Sequence, residues 1–262
     1  MRINDEFTEV AGYRLHFRKI DVDSSRTPLL FLHEGLGSVE LWRDFPTGVA
    51  TLAGHPTLVY SRPGNGWSDP VRKPRGSDYL HREALEVLPE IVSAHVQRPP
   101  VLVGHSDGAS ISIIYAGANH AVAGLVLLAP HVFVEGNGLE SIRAIEASFS
   151  SSDLAEKMAK YHVDPESTFR GWAEAWLDPG FRSWNIEEYL EGIGCPVLLV
   201  QCEDDEYGSL GQLDAIEAGV AGPVERMVLP GPGHSPHLLH PEVVTAAVVG
   251  FVNSLSQGAP ST

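Results

Sequence analysis

The sequence predicts an α/β domain in which a mostly parallel central sheet carries helices on both faces. Three observations predict it. Short β-branched or leucine-rich runs recur along the chain: PLLFLH (28–33), TLVY (57–60), PPVLVG (99–104), GLVLLA (124–129), CPVLLV (195–200) and ERMVLP (225–230). Near-continuous apolar strands of this kind are those covered on both sides in a parallel sheet. Between them lie segments whose apolar residues repeat at helical spacing, several opening on Ser or Asp as an N-cap. One interval, 135–194, breaks the alternation by keeping helical spacing without any strand-like run.

Each element follows in order. FTEVAGYRLHFRKID (7–21) alternates around Ala11-Gly12 and predicts an antiparallel hairpin on the sheet edge. SVELWRDFPTGVATLA (38–53) and SDYLHREALEVLPEIVSAHV (77–96) predict helices, with Pro89 expected to kink or break the second. DGASISIIYAGA (107–118) predicts an amphipathic helix, and GQLDAIEAGVA (211–221) and PEVVTAAVVGFVNSL (241–255) predict the last two. Residues 1–134 and 195–262 are therefore expected to form the core. Residues 135–194, inserted after the sixth strand, are expected to form a helical lid over the carboxyl edge of the sheet, where open α/β sheets bind ligands. FRGWAEAWLDPGFRSWNIEEYL (169–190) holds three of the five tryptophans. Trp172 and Trp176 are candidates for lining a pocket, against the simpler expectation that they, like Trp184, pack the insertion onto the core. The GAPST end is expected to fray.

With 262 residues, 43% of them apolar, the chain can bury one substantial core. Eighteen basic against 34 acidic residues give a formal charge of −16, which repels phosphate backbones and anionic membrane surfaces and argues against both as partners. MRINDEFTEV has no basic-then-apolar signal pattern, and no stretch approaches the roughly 20 apolar residues of a bilayer span. The expectation is a cytoplasmic protein, monomer or homodimer, acting on a small molecule. Cys195 and Cys202 flank an apolar run that holds them about 20 Å apart if extended, too far for a disulfide. They read as core thiols.

Chemistry concentrates at Gly104-His105-Ser106-Asp107-Gly108, where a strand must turn sharply into a helix. A serine in that turn has its hydroxyl pushed outwards, and flanking glycines let neighbouring chain pass without a Cβ. A serine hydroxyl needs a base to take its proton and a carboxylate to orient the base. Gln201-Cys202-Glu203-Asp204-Asp205-Glu206 and Gly231-Pro232-Gly233-His234 follow later strands, on the same rim as Ser106. His234, His237 and His240 could suggest a metal cluster, but the run has no H-E-x-x-H or cysteine pairing, and no metal is expected. His81 and His105 read as packed or capped.

With serine, acid and histidine in this order, the chain resembles the α/β-hydrolase superfamily along almost its whole length. It is most similar to the lidded subfamily of meta-cleavage-product hydrolases, proline iminopeptidases and small carboxylesterases. The resemblance implies Ser106 as nucleophile and His234, in a G-H pair, as base. It places the acid on Asp205, the end of a G-x-x-D pattern in which Cys202 replaces the glycine. An oxyanion needs two donors. The Asp107 amide supplies one, and His33-Glu34-Gly35-Leu36-Gly37 resembles the family's H-G-x motif, making the Gly35 amide the second. Glu34 stands in the glycine slot there; it is a candidate for contacting the substrate, and next to an oxyanion its side chain is expected to point away or to be paired. Ser61-Arg62-Pro63-Gly64-Asn65-Gly66-Trp67-Ser68 resembles the family's D-x-P-G-x-G-x-S turn, with Ser61 for the aspartate. No Walker or dinucleotide pattern accompanies its glycines.

The implied function is hydrolysis of a carboxylic ester or lactone through an acyl-enzyme, without a cofactor. Carbon-carbon or peptide-bond hydrolysis by the same triad is the alternative, and a ligand receptor on the same fold is the non-enzymatic one. Dehalogenation is disfavoured, since it uses an aspartate at the Ser106 position. The Asp107 carboxylate either favours the helix start or, as in some relatives, binds a substrate ammonium group. His131 and Glu135, past the sixth strand, are candidates for lining the pocket, and Glu135 is also a second candidate for the triad acid.

Overall fold

A computed structural model describes residues 1–22 and 25–255. The expected frayed end lies outside the described residues. The sheet has eight strands: β1 (Arg2–Val10), β2 (Tyr13–Asp21), β3 (Leu29–Leu32), β4 (Thr57–Tyr60), β5 (Val101–His105), β6 (Gly124–Leu128), β7 (Val197–Asp204) and β8 (Val224–Pro232). Their order is β1-β2-β4-β3-β5-β6-β7-β8. The β1–β2 and β2–β4 pairs are antiparallel, and every other pair is parallel. Ala11 and Gly12 both take positive φ, 53° and 75°, as a two-residue hairpin turn requires.

Side chains in the central strands alternate between two cores, as the two-residue period demands. Leu30, Leu32, Leu102, Leu125 and Leu127 enter one, and Leu29, Phe31, Val101, Val103, Val126 and Leu128 enter the other. The second core is closed by α1 (Phe45–Ala53) together with the last helix of the chain, through Val49 on one and Val248 and Phe251 on the other. Strand order reverses between β3 and β5, so the loops leaving their carboxyl ends lie side by side. That is the place where open α/β sheets form their sites.

The helices differ from expectation in three ways. Residues 38–53 do not form one helix: a 3-10 turn (Glu40–Trp42) ends at Arg43, whose φ is 54°, before α1 starts. The expected break at Pro89 is instead a widening. Helix α2 (Tyr79–Arg82) passes through a π turn (Glu83–Val87) into α3 (Leu88–His95). Proline removes a donor and crowds the carbonyl four residues back, and a π turn relieves both. Helix α4 (Asp107–Gly117) is not amphipathic, since residues 107–116 are all buried. Its polar side chains bond internally, Ser110 Oγ to the His131 carbonyl and Ser112 Oγ to that of Gly108.

Between β6 and β7 the chain forms α5 (Gly136–Phe149), α6 (Leu154–Met158), α7 (Pro165–Leu177) and two 3-10 segments (Pro179–Ser183, Glu187–Gly192). A lone bridge joins Phe133 to Asn185. The helices α8 (Gly211–Gly219), α9 (Pro236–Leu239) and α10 (Pro241–Leu255) complete the chain. No helix among the described residues is long and apolar enough to cross a membrane. Cys195 and Cys202 are free thiols.

Candidate active site

Ser106 sits between β5 and α4 with φ 52° and ψ −115°, a strained conformation for a residue with a side chain. Its neighbours explain how the chain tolerates this. A Cβ on Gly108 would overlap the Leu32 carbonyl oxygen, and one on Gly104 would overlap that of Gly108. Only glycine at both positions lets the turn close.

His234 reaches this turn from the loop after β8, and its Nε2 lies 2.7 Å from Ser106 Oγ. On its other side, Nδ1 lies 2.8 and 3.0 Å from the two Asp205 carboxylate oxygens. A carboxylate only accepts, so Nδ1 carries the proton and Nε2 is left as acceptor for the serine hydroxyl. Asp205 follows a shift of register between Cys202 and Asp204 at the end of β7, an irregularity that re-aims a side chain. The Tyr207 amide donates to Asp205 Oδ1 at 2.9 Å, fixing the carboxylate.

Three further histidines surround His234. His105 Nε2 donates to the His234 carbonyl at 2.6 Å, and the His131 ring stacks on that of His234 at 5.4 Å. His237 packs on His105 and Trp42. Burial pushes His131 down to about 4 and His237 to about 3, so both are neutral at physiological pH. The HSPHLLH histidines do not converge on a point. Among the described residues, the three possible metal ligands that do converge are Asp5, His16 and Glu40, on the far sheet edge, where Arg18 already pairs with both carboxylates.

The cavity over Ser106 measures about 450 Å³. Gly35, His131 and His234 line it, with Ile142, Trp172 and Trp176 from the segment between β6 and β7 forming one wall. The Trp172 indole presses against Gly35 so closely that a Cβ there would overlap it. Glu34 lines the cavity too and is not turned away: its carboxyl accepts from its own backbone amide, but among the described residues it has no ion-pair partner. Burial raises Glu34 to about 7, against the hydrogen bond from its own backbone amide and the attraction of Arg62 and His234.

A model of the Alpha/beta hydrolase family matches residues 29–247. The chain belongs to the alpha/beta hydrolase family. No curated protein matches it. Solved structures similar to this hydrolase include an esterase from Rhodococcus sp., 22% identical, with 97% of this chain and all (100%) of that one covered at a TM-score of 0.70. A meta-cleavage product hydrolase from Pseudomonas fluorescens is 15% identical, covering 96% and 98% at 0.75. A haloalkane dehalogenase from Bradyrhizobium elkani is 17% identical, covering 98% and 100% at 0.78. Likeness at these identities shows the fold.

Two sequence expectations for this hydrolase are corrected. The Asp107 carboxylate does not face the cavity. It is 1% exposed and accepts from Tyr79 Oη at 2.7 Å and Arg62 Nη2 at 3.3 Å, so an ammonium group has no access to it. Glu135 does not reach His234. Its oxygens accept from Ser209 Oγ, the Ser209 amide and Gln212 Nε2 at 2.6–2.8 Å, and it does not line the cavity. Burial alone would raise Glu135, yet those donors hold it below the usual carboxylate range.

Sequence reasoning missed what the turn at 61–68 does for the hydrolase. Asn65 Nδ2 donates to the Gly35 and Gly37 carbonyls at 3.0 Å each, and Arg62 Nη2 donates to the Glu34 carbonyl at 2.9 Å. Both fix the loop that carries the Gly35 amide. The signal available was a polar residue inside a glycine-rich turn, which local pattern alone cannot connect to a loop 30 residues away.

Proposed function

We propose that the protein hydrolyses a carboxylic ester or lactone through an acyl-enzyme formed on Ser106. The observation that carries this is the continuous bonding from Ser106 Oγ through His234 Nε2 and Nδ1 to Asp205, at 2.7 and 2.8 Å. Ser106 Oγ attacks the substrate carbonyl carbon as its proton passes to His234 Nε2, and Asp205 stabilises the imidazolium. The amides of Gly35 and Asp107 hold the oxyanion; the first turn of a helix leaves its amides without intrahelical acceptors, which supports the role of Asp107. Collapse expels the alkoxide, which takes the proton from His234. Water then gives a proton to His234 as it attacks the acyl carbon, and collapse releases the acid while His234 returns that proton to Ser106 Oγ. Residues 135–194 act as a lid, with Trp172 and Trp176 holding the substrate's apolar part and His131, neutral, closing the pocket beside His234. The protein needs no cofactor and acts in the cytoplasm.

The experiment is hydrolysis of p-nitrophenyl acetate by the wild type and by Ser106→Ala. Turnover that disappears in the variant supports the proposal, and equal turnover contradicts it. Product analysis on a panel of neutral esters, lactones and vinylogous diketones separates ester cleavage from carbon-carbon cleavage by the same triad.

A further inference from the structure

Three of the buried or half-buried carboxylates around this site are answered by the chain itself, and Glu34 is not. Asp205 is held by His234, Asp107 by Arg62 and Tyr79, and Glu135 by Ser209 and Gln212. Glu34 lies in the cavity wall with no cation against its carboxyl among the described residues; the nearby Arg62 turns its Nη2 to the Glu34 backbone carbonyl and to Asp107, and its Nε and Nη1 have no hydrogen-bond partner there. A desolvated carboxylate without a counter-charge is costly, so the group either takes up a proton or draws a cation from outside the protein.

The rest of the cavity fits such a supplier. Among the described residues no lysine or arginine lines it, Glu206 lines it as well, and Trp172, Trp176 and Tyr207 supply aromatic surface of the kind that attracts cations. The Trp172 indole lies against Gly35, the residue next to Glu34. The formal charge of −16 adds a long-range pull in the same direction.

We propose that the substrate bears a cationic group, an ammonium on its acyl or its alcohol side, and that Glu34 holds that group with Trp172 beside it. The proposal rests on the ester-hydrolase reading above and names its substrate class. It also accounts for a carboxylate next to an oxyanion donor. An ionised Glu34 beside the Gly35 amide opposes negative charge building up on the carbonyl oxygen, and a bound cation offsets that opposition. A neutral ester lacks the offset, so the charge on the substrate acts on kcat as well as KM.

The test compares esters of equal shape that differ in charge. Acetylcholine and 3,3-dimethylbutyl acetate place the difference on the alcohol side. The p-nitrophenyl esters of 4-(trimethylammonio)butyric acid and 5,5-dimethylhexanoic acid place it on the acyl side. In at least one pair the cationic member is expected to have a kcat/KM about tenfold or more above its neutral partner, and Glu34→Gln is expected to bring that ratio to within about twofold of one. Equal rates in both pairs, or a preference that survives Glu34→Gln, overturn the proposal. Hydrolysis of the neutral members leaves the serine-hydrolase reading standing in either case. If none of the four is hydrolysed, choline binding is measured by calorimetry: affinity at least about tenfold weaker in Glu34→Gln upholds the cation site, and equal affinity or no binding overturns it.

Discussion

Asp205 touches His234 through both carboxylate oxygens, so replacing one oxygen by an amide nitrogen frees the imidazole to take the wrong tautomer. Asp205→Asn is expected to lower kcat on a neutral ester by on the order of 10³–10⁴ with the fold intact. Glu135→Gln is expected to keep most activity and lose about 1–2 kcal/mol of stability, as it only weakens bonds to Ser209 and Gln212. Activity measurements on the two purified variants check this, and a reversed result assigns the acid to Glu135. Glu34 titrates where its surroundings place it. Burial raises its carboxyl to about 7, so folding favours the protonated form. Stability from that preference is fully present below the unfolded value, near 4.5, and is lost as pH rises through about 7. Glu34→Gln is therefore expected to stabilise the protein by ~1–2 kcal/mol at pH 8 and by nothing measurable at pH 4 in chemical denaturation. The cation preference should rise through the same range in the wild type and stay flat in Glu34→Gln. Arg62, Asp107 and His234 are the charged groups felt by Glu34, and His234 serves both members of an ester pair, so its contribution cancels in their ratio. At this scale the meeting of Ser106 with His234 was legible in the sequence, because strand-turn-helix context and strand ends are local. It did not make the orientation of Asp107 legible, since Arg62 and Tyr79 come from elements 45 and 28 residues away.

At the level of elements, the turn into α4 depends on two glycines whose missing side chains admit the backbone of β3 and of α4 itself. Gly108→Ala is expected to cost more than about 3 kcal/mol or to prevent soluble expression, because the obstacle is the Leu32 carbonyl and not a side chain that can move. Gly48→Ala, in α1 with nothing near the added methyl, should be neutral or stabilise by up to about 1 kcal/mol. Thermal denaturation of both variants checks the contrast. The strands were readable because each central one is apolar on both faces and bounded by turn residues. The helices were read less well. Pattern shows that residues 77–96 are helical, but not that the chain absorbs Pro89 by widening. The small residues of α4 look like one apolar face when they are packed on every side. The split of 38–53 depends on Arg43 adopting positive φ, which no local rule for arginine suggests.

Across the molecule, a single polar network joins five parts of the fold. Trp176 of α7 donates to Tyr79 Oη at 2.8 Å, Tyr79 to Asp107 at 2.7 Å, and Arg62 bonds both Asp107 and the Glu34 carbonyl. The segment between β6 and β7 is thus tied to the base of the Ser106 turn and to the Gly35 loop. Arg62→Met strands the Asp107 charge in the core and is expected to cost about 3–5 kcal/mol in equilibrium unfolding. Trp176→Phe, which removes one donor and keeps most of the ring, should cost about 1 kcal/mol and loosen the cavity wall, seen as a higher KM. The composition signalled an acidic protein, and only the fold shows that this charge extends into the cavity through Glu34. The central claim is that Ser106 is a nucleophile activated by His234, and labelling with a fluorophosphonate followed by peptide mass spectrometry tests it most directly. One phosphonyl adduct, on Ser106, formed in the wild type and abolished in His234→Ala, is the expected result. No adduct, an adduct elsewhere, or labelling of Ser106 that is unchanged without His234 would contradict the account.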